Sequence, residues 1–147
     1  MATKKFLAAW AAYLAVTFAG GAIWHLILFQ PTYVRLGIFT RIEDPVIPLG
    51  LSAMLLQGAI LSYVYPILAR RARPVREGLW FGLLSAVFIG SSAVLAEAGK
   101  NYVSSLGTWL LLEWSYYLLQ FLLSGLAIGL VYGRASQSRP AGGLTSA

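Results

Sequence analysis

The chain has 147 residues, 59% of them hydrophobic and 11% charged, with no cysteine and a formal net charge of +6; its mean hydropathy is +0.72. Average soluble chains carry roughly 25% charged residues, so there is too little polar surface here to coat a water-soluble domain. The missing thiols exclude disulfides, thiolate metal sites and cysteine nucleophiles. The basic residues lie beside apolar segments, which fits membrane topology and anionic lipid headgroups rather than nucleic acid.

A helix rising about 1.5 Å per residue needs about 20 apolar residues to cross the hydrocarbon core. Four segments qualify. The first, 6–29, holds no formal charge, only His25. Lys4, Lys5 and the run Ala19-Gly20-Gly21-Ala22 imitate a cleavable signal peptide, but Ile23, Leu26, Ile27, Leu28 and Phe29 prolong the apolar stretch. The segment therefore reads as a retained span.

The connection 30–45 is long, and Pro31 is placed to open a short interfacial helix, with Tyr33, Leu36 and Phe39 at headgroup level and Asp44-Pro45 ending it. The second span, 46–69, is uncharged and contains Pro66 one turn from its end, where a kink costs little. Arg70, Arg71, Arg73 and Arg76 fill the next turn. The third span, 78–98, is uncharged until Glu97, and the fourth, 108–133, is interrupted only by Glu113. Long unbroken apolar runs without period-two alternation argue against strands.

Lys and Arg assign the sides. Lys4 and Lys5, the Arg-rich turn, and Arg134 with Arg139 all fall on one side; the other two connections carry Arg35, Arg41 and Lys100, with Glu43 and Asp44 among them. The positive-inside rule places both termini and the Arg-rich turn in the cytoplasm. The fold expected is all-α: one four-transmembrane-helix bundle over 1–134, followed by a small, polar, flexible cytoplasmic tail, 135–147.

In lipid, helices meet where small residues let backbones approach. Gly82, Ala86 and Gly90 recur at intervals of four in the third span, as do Gly125, Gly129 and Gly133 in the fourth and Ala11, Ala15 and Ala19 in the first. These rows are packing faces, within the bundle or between copies. Trp80, Trp109, Trp114, Tyr63 and Tyr65 lie toward span ends and read as an interfacial aromatic belt.

Ionisable groups at membrane depth are costly and call for an explanation. His25, Glu97 and Glu113 all fall near the outer face. Glu97 lies seven residues from Gly90 and is expected on the small-residue face, toward another helix. Glu113, Tyr117, Gln120 and Ser124 form one polar stripe, and Gln57 adds an amide at the depth of Gln120. One reading is an outward-facing polar pocket for a proton or cation. The plainer reading pairs Glu97 with Lys100, leaves Glu113 wet at a helix start, and uses Gln57 with Gln120 as a clamp between two helices. No spacing motif supports a metal site, a second haem ligand is lacking, and no nucleophile elbow or phosphate loop occurs. Cofactors stay unassigned.

Trp24-His25 with Phe29 and Tyr33, Gly58 with Leu61-Ser62-Tyr63-Val64-Tyr65-Pro66, Glu77-Gly78-Leu79-Trp80-Phe81-Gly82-Leu83, and Gln120 with the run Gly125 to Gly133 carry a resemblance. On these residues the chain resembles a group of small uncharacterised bacterial integral-membrane proteins with four helices. The resemblance implies a four-helix membrane fold in the bacterial inner membrane and no particular activity. The functional expectation is a non-enzymatic protein acting through helix packing, as an accessory subunit of a membrane complex or as a homo-oligomer. The rival is a small proton- or cation-coupled transporter or channel using His25, Glu97 and Glu113. A third reading is a membrane enzyme or a binder of metal, haem or pigment.

Overall fold

The computed structural model describes residues 2–39, 41, 44–70 and 72–133, and these contain helices and no strand. Arg71 of the basic turn, Glu43, and the tail with Arg134 and Arg139 lie outside the described residues. Helix α1 (Ala2–Gly21) runs without a break into a π-helical stretch, Ala22–Leu28. A short helix, α2 (Gln30–Leu36), follows; Pro31 supplies its fixed φ in the first turn, and Gly37 closes it with φ +72°. Helix α3 spans Ile47–Leu68. Helix α4 (Pro74–Gly90) continues through a second π-helical stretch, Ser91–Ala96, into the last turn α5 (Glu97–Lys100), and α6 spans Leu106–Gly133.

Four helices are long and apolar enough to cross a membrane: Thr3–Leu28, Ile47–Leu68, Pro74–Lys100 and Leu106–Gly133. The third starts at Pro74 rather than Gly78, because the helix extends through charged residues before apolar sequence begins. Glu77 in its first turn reaches back over the helix start, its Oε1 accepting from the backbone N–H groups of Ala72 and Arg73 at 3.2 and 3.1 Å.

Helix α6 is the centre of the assembly, packed most extensively on α4 and then on α1, while α3 rests chiefly on α1. The α4–α6 seam is backbone against backbone. A Cβ added at Gly82 would collide with the carbonyl oxygen of Phe121, one at Gly78 would lie 2.5 Å from that of Gly125, and one at Gly129 2.5 Å from that of Pro74. Gly90 makes room for the indole of Trp114, Ala86 is fully buried, and Gly133 abuts Pro74. The row Ala11, Ala15 and Ala19 faces outward instead.

Helix α3 is fastened to α1 through the Trp10 indole, which donates to Leu55 O at 3.0 Å, and through Gly58, where any side chain would meet Tyr13 and Trp10. Buried apolar residues form two clusters. One gathers Tyr13, Tyr65, Ala86, Phe121, Ile128 and Tyr132. The other, at the end of the bundle that holds His25, gathers Tyr33, Leu36, Val94, Trp109 and Leu112.

This second cluster corrects several side-chain expectations. Tyr33 and Leu36 are 2% exposed, not laid on a surface, and Trp109 is equally buried, its indole donating to Val94 O at 3.0 Å. Tyr65 is fully buried, whereas Tyr63 and Trp80 are exposed. Each buried ring has a polar atom that the bundle satisfies or a face that it packs, so amphipathic rings near a helix end are drawn inward here.

Candidate functional site

The π-helical stretch after α1 widens the turn, seen in the Phe29 N–H bonding to Trp24 O at 3.0 Å, five residues back. Trp24 and His25 are thereby both turned toward α2 and α6. Helix α2 is held against them by the loop ahead of α6: Ser104 N–H donates to Leu36 O at 3.1 Å and its hydroxyl to Arg35 O at 2.8 Å. Tyr33 then points inward.

At the centre lies the Glu113 carboxylate, 5% exposed. Its Oε1 accepts a short hydrogen bond from the Tyr33 hydroxyl. That hydroxyl in turn accepts from Trp24 Nε1 at 3.2 Å. His25 Nε2 lies 3.7 Å from the same Oε1, and His25 Nδ1 lies 3.1 Å from Gly21 O. The ring stacks on Tyr33 at 4.8 Å between centroids and meets Tyr116 edge-on at 4.4 Å. Burial, with the hydrogen bond and charge of Glu113, holds the Tyr33 phenol well above its ordinary pKa.

Because a carbonyl only accepts, Nδ1 carries a hydrogen in this arrangement and Nε2 faces the carboxylate. Two acceptors would then oppose each other unless a proton is shared by the pair, on His25 or on Glu113. The spacing of 3.7 Å exceeds hydrogen-bond length.

His25, Gln57, Glu97, Glu113, Tyr117 and Gln120 all line one cavity of about 1000 Å³ between α1, α3 and α6. Within it the expected clamp of Gln57 with Gln120 is not made. Gln57 Oε1 accepts from Tyr13 at 2.8 Å and Gln120 Nε2 donates to Thr17 at 3.3 Å, so both amides reach α1. Glu97 is exposed at the rim and pairs with Asn101 Nδ2 at 2.5 Å, one turn on, rather than facing another helix or pairing with Lys100. The π-helical Ser91–Ala96 explains this: wider turns shift the phase, so counting seven residues from Gly90 misplaces the side chain. Ser124 continues the stripe into the interior, its hydroxyl buried without a hydrogen-bond partner among the described residues.

Tyr33, Trp24, Thr17 and Tyr116 are parts of this site that reading the sequence did not assign. For Thr17 a signal exists, since Ala9, Tyr13, Thr17 and Gly21 recur at the four-residue helical interval. Gly82, Ala86, Gly90, Gly125, Gly129 and Gly133 lie at the α4–α6 seam and not in the cavity. Arg70, Arg73 and Arg76 are exposed at the opposite end. Among the described residues, no group of three His, Cys, Asp or Glu side chains is placed to hold a metal ion.

A multi-pass helical membrane protein with an open cavity, largely apolar and carrying a few polar groups, is the class these features define. No family model, curated protein or solved structure compared with the chain matches it.

Proposed function

We propose that the chain is a small proton-linked membrane carrier that binds a cation at the Glu113–His25 pair. The observation that carries this reading is the buried Glu113 carboxylate, set 3.7 Å from His25 on the wall of a cavity of about 1000 Å³. A packing staple needs no cavity beside it. A cation arriving at Glu113 and a proton residing on the pair compete for one negative charge, which is the basis of exchange. Tyr33 and Tyr116 face the pair, and Glu97 and Arg41 line the same cavity, so these are the groups that tune the competition.

The charge distribution supports a cytoplasmic (inner) membrane location with both termini inside, which puts the cavity mouth and α2 at the outer surface. At the cytoplasmic side, Arg73 and Arg76 flank a groove of about 590 Å³ with Leu79, Trp80 and Leu83, suited to an anionic lipid headgroup and its chain.

The test is proton movement in proteoliposomes carrying an internal pH-sensitive dye and started by an imposed gradient of a monovalent cation, sodium or an alkylammonium, because one-for-one exchange is electroneutral and needs the counter-cation. Flux above protein-free vesicles is expected, falling to background in Glu113→Gln and strongly in His25→Ala. Equal flux in folded wild type and Glu113→Gln would remove the carrier reading. A second reading, an accessory subunit or homo-oligomer, is favoured by one observation: the outward row Ala11, Ala15 and Ala19 offers a close-approach face. Mass in mild detergent, and what accompanies the protein from its native membrane, decide it.

A further inference from the structure

We propose that the solute is a lipophilic organic cation, an amine or quaternary onium whose charge meets Glu113 and whose apolar body lies along the α1–α3 opening. This rests on the reading of the cavity as a cation site and names what fills it.

Size points there first. The cavity of about 1000 Å³ is open on one side and has room for a body far larger than an inorganic ion. Pockets for organic ligands run to roughly 300–1000 Å³.

Charge points there second. Both Tyr33 and His25 engage Oε1 of Glu113, which leaves Oε2 without a hydrogen-bond donor among the described residues. A carboxylate oxygen that opens onto the cavity with spare acceptor capacity favours a cationic donor. Glu97 adds a second negative group at the rim, against Arg41 in the same lining.

The walls point there third. Tyr33, Tyr116 and Tyr117 all line the cavity, and aromatic faces attract onium groups. Opposite them the lining is apolar, with Phe18, Leu26, Val46 and Met54. Phe18 and Leu26 are 67% and 65% exposed, and α3 is exposed at each residue from Ile47 to Ala53. In a chain surrounded by hydrocarbon, that side opens toward lipid. A solute with an apolar body reaches Glu113 from there without being stripped of water twice.

The experiment uses the full chain in nanodiscs of zwitterionic lipid and equilibrium binding of tetraphenylphosphonium, with tetraphenylborate as an anion of matching shape. Saturable binding of the cation, one per chain, is expected, with none for the borate. Glu113→Gln, which keeps an acceptor for Tyr33, is expected to weaken binding at least about tenfold. Ala53→Trp fills the cavity from an exposed position and is expected to do the same, so it decides the matter should the glutamine variant not fold. Equal binding of both ions, absence of saturable binding, or cation binding unchanged in a folded variant would each overturn the proposal. Glu113-dependent proton flux without phosphonium binding removes this inference and leaves the carrier; phosphonium binding at Glu113 without any flux removes the carrier and leaves the binding site.

Discussion

At Glu113 the physics of single residues is clearest. A carboxylate at membrane depth is tolerated because Tyr33 and His25 meet it, and Tyr33 is itself held by Trp24. With its phenol held above the ordinary pKa, Tyr33 stays a donor throughout the physiological range. Tyr33→Phe removes that donor and takes the acceptor from Trp24 while keeping the ring stacked on His25. The expected loss is about 1–2 kcal/mol, read as an earlier midpoint in mixed-micelle unfolding. Unchanged stability would mean that Glu113 finds another donor. That His25, Glu97 and Glu113 lie near one end of their long helices is legible along the chain. Their partners are not, because Glu113 and Tyr33 are separated by 80 positions, and no local pattern links residues that only folding brings together.

Between elements, the dominant contact is the glycine seam of α4 and α6. Gly82→Ala forces a methyl group onto the Phe121 carbonyl, which belongs to a helix backbone and has no freedom to move aside. A destabilisation of about 1–3 kcal/mol is expected. Gly20→Ala and Gly107→Ala, where nothing lies within 4 Å of the added carbon, are expected to be neutral or slightly stabilising by the same unfolding measurement. Comparable losses in all three would mean that the seam is not the tight contact. The intervals of four in both helices are readable in the sequence, whereas the pairing of those two rows with one another, and the outward turn of Ala11, Ala15 and Ala19, is not. The π-helical stretches are hidden for a related reason. Ala22–Leu28 and Ser91–Ala96 are built from ordinary helix formers, and their wider turns arise from what the neighbouring helices offer, as where Trp109 takes the Val94 carbonyl.

For the molecule as a whole, the orientation rests on basic residues and is open to a direct check. A reporter active only in the cytoplasm, fused after Ala147, is expected to be active, and one inserted between Lys100 and Leu106 silent; the reverse pattern would invert the topology and place the cavity mouth inside. The number and rough limits of the four long helices were determined by the sequence by itself, because transfer of apolar side chains to hydrocarbon depends on composition along a short window. The same holds for the asymmetry of charge. Only the tertiary structure decided that α6 sits at the centre, that α2 folds inward to bring Tyr33 to Glu113, and that Gln57 and Gln120 reach α1 rather than each other. Those outcomes depend on the phase of each helix and on which surfaces meet, and phase is set by packing between distant segments rather than by the hydropathy of any one of them.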